Sequence, residues 1–216
     1  LGFSELMRDE HFGALGSDRY REYASDIHHS GQHMLALVND VLDIATIEAG
    51  KRILTKELIA TEDILRACLK KVAKAAEDGG ITLSFDVADN LPPLFADARS
   101  VTQIVLNLLS NATKFTKPGG TVSLSAGSRG GQIVISVKDT GIGIPPDKLK
   151  VITEPFSQAS SNPHNAQEGT GLGLSIVASL VEAHDGELRI ESDIGTGTAV
   201  SVTFPFSEAA ARLIAG

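Results

Sequence analysis

The run QIVLNLLSNATKFT, residues 103–116, decides how the rest of the chain is read. Ile104, Val105, Leu106, Leu108 and Leu109 give it the apolar density of a largely buried helix. Yet Gln103, Asn107, Asn111 and Lys114 recur at spacings of four, four and three, which places them on one face. Two carboxamides and an ammonium on a greasy helix can line the mouth of a pocket. A carboxamide oxygen suits a hard cation such as Mg²⁺, and a lysine offers charge to phosphate. The same stripe on the solvated face of an amphipathic helix would carry no chemistry, so the reading needs support elsewhere in the chain.

Two glycine-rich segments supply it. Asp139-Thr140-Gly141-Ile142-Gly143-Ile144 directly follows an apolar strand at 133–137. A carboxylate at a strand end can accept a hydrogen bond from an amino group, such as the exocyclic amine of adenine. The two glycines would let a planar ring approach the backbone. A plain β-turn is the competing reading, because Asp-x-Gly is common in turns. Gly169-Thr170-Gly171-Leu172-Gly173-Leu174 then leads into a helix. Alternate glycines at a helix N-terminus form a backbone N–H cradle for phosphate. The spacing is neither the dinucleotide G-x-G-x-x-G nor a P-loop with its Gly-Lys-Ser/Thr. A flexible hinge is the alternative there.

Around these segments, helices are expected at 62–77, 98–114 and 170–184, with a short one at 146–152. Strands are expected at 81–87, 121–126, 132–138, 187–191 and 198–204. Arg129-Gly130-Gly131 turns the central hairpin. This is an α+β, layered arrangement with a mixed sheet. Of 21 glycines, 13 lie between Gly119 and Gly197, marking tight turns or close backbone approach.

Residues 1–50 differ in texture. They carry three arginines against nine carboxylates, a net of −6 out of −8 for the whole chain. Residues 1–9 read as the end of one helix, and 19–48 as a second. Tyr20, Ile27, Met34 and Val41 recur every seven residues, with Tyr23, Leu37 and Ile44 as companions. At 1.5 Å per residue the two arms differ by roughly 30 Å. Either the first helix continues upstream of Leu1 or another chain covers the stripe.

Composition bounds the classes. The 216 residues, 42% hydrophobic and 21% charged, support one sizeable core with an accessory element and exclude a disordered chain. No apolar run reaches about 18 residues, and no signal peptide is visible at LGFSEL. The single Cys68 excludes an intramolecular disulfide or a cysteine-based zinc cluster and fits a reducing compartment. The acidic balance argues against a nucleic-acid partner.

In this order the motifs resemble the catalytic and ATP-binding domain of two-component sensor histidine kinases. NLLSNATKFT (107–116) matches the N box, DTGIGI (139–144) the first glycine box, EPFSQ (154–158) the F box, GTGLGL (169–174) the second glycine box, and SDIGTGTAV (192–200) the final signature. GFSELM and VNDVLDIATIEAGK (38–51) resemble the dimerisation and histidine-phosphotransfer hairpin of the same family. The run from Arg19 to Asp43 more loosely resembles alphaproteobacterial kinases of the PleC and DivJ type.

The resemblance implies a two-layer α/β sandwich of the Bergerat type over 51–216. Before it, over 1–50, stands a truncated antiparallel hairpin that forms a dimeric four-helix bundle. It implies ATP and Mg²⁺ as ligands, with Asn111 and Asn107 at the metal and Lys114 at the phosphates. Asp139 would take the adenine amine, with Gly141 and Gly143 permitting its approach and Thr198 at the back of the pocket. Gly169, Thr170, Gly171, Leu172 and Gly173 would lie by the phosphates. Residues 155–169 correspond to an ATP lid, expected to be poorly ordered without nucleotide, with Phe156 as its clasp or as core packing.

A homodimer, a response-regulator receiver domain as partner, and a cytoplasmic location follow from the same resemblance. Membrane contact would arise only through segments upstream. Related gyrase-type ATPases and heat-shock chaperones place Glu where Asn107 stands. A carboxamide cannot act as a general base, so ATP should be held rather than rapidly hydrolysed.

Three departures stand out. The family's His-(Glu/Asp)-Leu-Arg-Thr-Pro phosphoacceptor motif is absent, so the acceptor is expected upstream of Leu1 and this chain should not label itself. His28, His29 and His33 read as ordinary surface or interface histidines. No Lys or Arg lies between Pro155 and Gly169. Thr153 and Asp185 replace a common Phe and the first Gly of an HGG motif. These leave a degenerate, nucleotide-binding signalling scaffold as the alternative.

Overall fold

Two helices open the chain, α1 (Gly2–Arg8) and α2 (Asp18–Glu48). The computed structural model describes residues 1–48, 54–89, 91–157 and 171–205. It divides into two compact units, Leu1–Thr46 and Ile47–Gly216. In the first unit, small and polar residues face inward. Ser4, Ala24 and His28 are buried. A methyl group at Gly31 would stand 2.7 Å from Leu1 Cδ2, so α1 approaches α2 where side chains are smallest.

Of the surface and interface readings of His28, its burial against α1 excludes the surface one. Its Nδ1 lies 3.2 Å from Ser4 Oγ, whose own proton goes to the Leu1 carbonyl at 2.8 Å. The imidazole must then donate to the serine oxygen. The heptad residues Tyr20, Tyr23, Ile27, Met34 and Val41 are exposed along α2, as an uncovered stripe requires. The side chains of His33 and Ile44 lie outside the described residues.

The second unit is built on a five-stranded sheet ordered β2-β4-β5-β7-β6. Its strands are β2 (Thr82–Val87), β4 (Thr121–Arg129), β5 (Gln132–Asp139), β6 (Glu187–Asp193) and β7 (Gly197–Pro205). β2 runs parallel to β4 and the other pairs are antiparallel, so the sheet is mixed. Gly130 and Gly131, with φ of +59° and +77°, form the two-residue turn that fixes the β4–β5 register.

Alternation puts Val122, Leu124, Ile133, Ile135 and Val137 on the buried face. Against it pack α3 (Thr61–Asp78), α4 (Ala98–Phe115) and α6 (Gly173–Glu182), with α4 between the other two. A four-residue helix, α5 (Pro146–Leu149), lies in the β5–α6 connection. Two three-residue strands, β1 (Glu57–Ile59) and β3 (Leu94–Ala96), pair antiparallel as a separate two-stranded sheet. No helix among the described residues is long and apolar enough to cross a membrane.

Candidate functional site

β3 delivers the chain to Asp97, the N-cap of α4. Its Oδ1 accepts from the Ser100 N–H at 2.8 Å. Its Oδ2 accepts from the Thr55 N–H at 2.9 Å. Burial raises its carboxyl, but these N–H groups and the Ser100 hydroxyl outweigh that and leave it below the ordinary value. So started, α4 buries Val101, Ile104, Val105, Leu108, Leu109 and Ala112. Leu106, expected in the core, is only half-buried. It lines an open cavity of about 430 Å³ with Gln103 and Asn107.

The polar stripe is not a solvated face. Gln103, Asn107, Asn111 and Lys114 are all half-buried. Asn107 Nδ2 donates to the Gly173 carbonyl at 3.2 Å, so the stripe abuts the first residue of α6. A methyl group at Gly173 would lie 3.7 Å from Asn111 Nδ2, an ordinary contact. The N–H end of α6 and two carboxamides of α4 thus share one place. Lys114 Nζ stands 5.1 Å from the centre of the Phe115 ring.

The second focus is Asp139, buried at the end of β5. Its Oδ1 accepts from the Gly141 N–H at 2.8 Å and the Thr198 N–H at 3.2 Å. Burial pushes the carboxyl above its ordinary value, against the pull of those two donors. The Thr198 hydroxyl is 2.9 Å from Ser192 Oγ, which also takes the Ile144 N–H at 2.8 Å and reaches the Gly197 carbonyl at 3.0 Å.

Gly143 (φ +72°) and Gly197 (φ +123°) close this knot. A side chain at Gly143 would collide with the Asp193 carbonyl, and one at Gly197 with the Asp139 carbonyl. Their lack of a Cβ is thus required by the protein's own backbone. Gly141 is likewise pressed against the Phe115 carbonyl.

Comparisons identify the family. The histidine kinase-, DNA gyrase B- and HSP90-like ATPase family matches residues 96–208. The His Kinase A (phospho-acceptor) domain matches residues 1–50. The chain belongs to the sensor histidine kinase family. A "non-motile and phage-resistance protein" of Caulobacter vibrioides is 47% identical over 208 residues, covering 94% of this chain and 25% of the relative. The cell-division control histidine kinase PdhS of Brucella suis is 42% identical over 214 residues, 95% of this chain and 21% of the relative. The crystal structure of full-length ShkA in complex with AMPPNP superposes with a TM-score of 0.81 and 34% identity, covering 96% of this chain and 42% of that one. The chain spans about a quarter or less of these two curated relatives.

Within the kinase family's motifs, several expected site residues stand differently. The Leu172 side chain is fully buried, so it is core and only its backbone can face a ligand. Phe156 is neither core nor a docked clasp here, being 67% exposed with φ +64°. Gly171 serves the protein first: a methyl there would come within 2.8 Å of the Phe156 carbonyl carbon. α6 starts at Gly173, not Thr170. Gly169, Thr170 and most of the expected lid lie outside the described residues. Asp97 and His184 escaped the sequence reading as site residues, and Ser192 entered it only as the first residue of the SDIGTGTAV signature. Only Asp97, preceding an apolar run with a serine three residues on, carried a local signal.

Proposed function

We propose that this chain binds Mg-ATP between α4 and the start of α6, and that the kinase containing it transfers the γ-phosphoryl to histidine. The observation that supports this most directly is the meeting of Asn107 and Asn111 with Gly173, at the N-terminus of a ten-residue helix. Partial positive charge at that terminus favours phosphate. Asn111 and Asn107 offer neutral oxygens to a hard cation. No cluster of three or more His, Cys, Asp or Glu among the described residues competes for one. When bound, magnesium offsets the charge of the β- and γ-phosphates. Lys114 adds charge to the phosphates, and Asp139 accepts the adenine amine.

The neutral Asn107 leaves no general base beside the phosphates, so ATP waits for a nucleophile rather than for water. The phosphoacceptor is a histidine upstream of Leu1, and the phosphoryl then passes to an aspartate of a response regulator. Residues 1–50 form the dimerising hairpin and 51–216 the catalytic domain, on the cytoplasmic side. Calorimetry of the chain with AMPPNP, with and without Mg²⁺, tests the pocket. Binding that Asn111→Ala makes insensitive to Mg²⁺ supports the metal role. Rapid ATP hydrolysis abolished by Asn107→Ala would overturn the kinase reading in favour of an ATPase. The absence of Lys and Arg from Pro155 to Gly169 favours a second reading, a nucleotide-binding scaffold. It predicts binding without label transfer even when the upstream histidine is present.

A further inference from the structure

We infer that His184 is a positioning residue for the nucleotide phosphates, the remote pin that sets the axial register of α6 against α4. The two helices pack against each other, and one hydrogen bond closes each end of the pair. At the phosphate end, Asn107 Nδ2 donates to the Gly173 carbonyl at 3.2 Å. At the far end, the Asp97 backbone N–H donates to His184 Nε2 at 3.1 Å. The helices therefore run antiparallel. Asn107 lies ten residues after Asp97, and His184 lies eleven after Gly173. At the helical rise the two arms span roughly 15–17 Å, so they match in length and form a closed frame.

The directional contacts of this frame are polar. Ile104, Leu108, Ile176 and Leu180 are buried, but apolar burial is non-directional and tolerates a small axial slip. A hydrogen bond weakens steeply with misalignment. Both sides of the far bond are themselves fixed. The Asp97 carboxylate takes the Ser100 N–H at 2.8 Å and the Thr55 N–H at 2.9 Å. Because His184 Nε2 accepts, Nδ1 of the neutral ring gives its proton to the Leu180 carbonyl at 2.7 Å. His184 is separated from the phosphate end by the length of α6. Through that helix it sets where the N–H groups at Gly173 stand relative to Asn107 and Asn111. Misplacement of that end by about an ångström is costly where phosphate and metal must be held together. The inference rests on the reading of that place as the Mg-nucleotide phosphate site.

The test compares two ligands on the whole chain, Mg-AMPPNP by calorimetry and adenosine by NMR titration. Adenosine carries no phosphates and engages only the Asp139 end of the pocket. General loosening weakens both ligands, whereas a register error weakens only the one with phosphates. His184→Phe keeps a ring against Phe204 without the acceptor. It is expected to lower Mg-AMPPNP affinity about three- to tenfold, the scale of one hydrogen bond, with adenosine affinity unchanged. His184→Gln, whose amide oxygen reaches the place of Nε2, is expected to recover most of the loss. His184→Asn keeps a donor for the Leu180 carbonyl but stops short of Asp97. It should behave like His184→Phe, and it carries the test if His184→Phe does not fold. Unchanged Mg-AMPPNP affinity, equal losses for the two ligands, or no recovery in His184→Gln overturns the inference. If Asn111→Ala also leaves Mg-AMPPNP affinity unchanged, the phosphate-site reading itself has failed. If Asn111→Ala weakens Mg-AMPPNP while His184→Phe does not, only the His184 role has failed.

Discussion

The Asp97 backbone N–H donates to Nε2 of His184 across 3.1 Å, tying the start of α4 to the segment just after α6. Nε2 accepts, so the proton of the neutral ring sits on Nδ1 and goes to the Leu180 carbonyl at 2.7 Å. The ring edge meets Phe204 at 5.8 Å. His184→Leu keeps the bulk but leaves the buried Asp97 N–H without this acceptor. Urea unfolding is expected to show a loss of about 2–3 kcal/mol. Because α4 carries the asparagines, Mg-nucleotide affinity should fall as well. A variant as stable as the parent would mean that the contact is incidental.

Asp139 is expected to trade stability for binding. Its folded-state carboxyl is raised by burial, so the folded protein holds that proton more tightly than the unfolded chain does. Below the ordinary carboxylate range both states are protonated and nothing is lost. As pH rises toward the raised value, stability falls, and at neutral pH the ionised group is a net cost. Asp139→Asn keeps an acceptor for the Gly141 and Thr198 N–H groups without the charge. Its nucleotide-free Tm at pH 7 should exceed the parent's by about 2 °C, and the gain should vanish near pH 4. Nucleotide affinity should drop by roughly 1.5–3 kcal/mol. A lower Tm at neutral pH would refute the stability half.

The glycines separate by what they face. Gly143→Ala and Gly197→Ala drive a methyl into the Asp193 and Asp139 carbonyls at positive φ. Each is expected to cost at least about 2 kcal/mol without any nucleotide present. Gly173→Ala meets only ordinary contacts and should leave the nucleotide-free melting curve nearly unchanged. Thermal scans without ligand distinguish the two groups. Equal losses in all three variants would contradict the assignment.

What the chain disclosed before folding follows from distance along it. α4 and the β4–β5 hairpin were legible because their buried faces repeat within one element, as Ile104, Val105, Leu108 and Leu109 do. β1 and β3 are three residues each, too short to show a period, and they exist because residue 57 meets residue 96. Ser192 and Thr198 pair six residues apart across the β6–β7 hairpin, but Thr198 meets Asp139 across 59 residues, and only the family resemblance put those two in one pocket. His184 was unreadable for the same reason, its acceptor role being set by Asp97 87 residues away. The glycine boxes were recognised, but their physical reason was misassigned. Close approach was expected from a ligand, and at Gly143 a Cβ would already meet the Asp193 carbonyl of the protein's own backbone.

Along α2, Ile27 and Met34 are 60% and 66% exposed one heptad apart. A stripe of this kind is normally covered by a second helix, and the His Kinase A match implies dimerisation typical of the family. Sedimentation velocity at tens of micromolar is expected to show a dimer. Ile27→Lys or Met34→Lys should shift it to monomer while the catalytic unit keeps its melting transition. A parent chain that is monomeric at that concentration would rule out this stripe as a sufficient interface.

Asp185 occupies a position where the backbone favours glycine. It follows α6 with φ +58°, while the Gly186 N–H reaches back to the Val181 carbonyl at 3.0 Å and the Asp185 N–H to Glu182 at 2.9 Å. That pair of bonds is a Schellman ending, whose αL residue is most often Gly. Aspartate tolerates αL better than most residues, and Lys56 stands 3.4 Å from its carboxylate. The pair is largely exposed on the aspartate side and should contribute little. Asp185→Gly is therefore expected to raise stability by up to about 1 kcal/mol, and Asp185→Val, branched at Cβ, to lower it by about 1–2 kcal/mol. Chemical denaturation of the three proteins decides between strain and ion pairing. If Asp185→Gly proves less stable than the parent, the Lys56 contact outweighs the backbone strain.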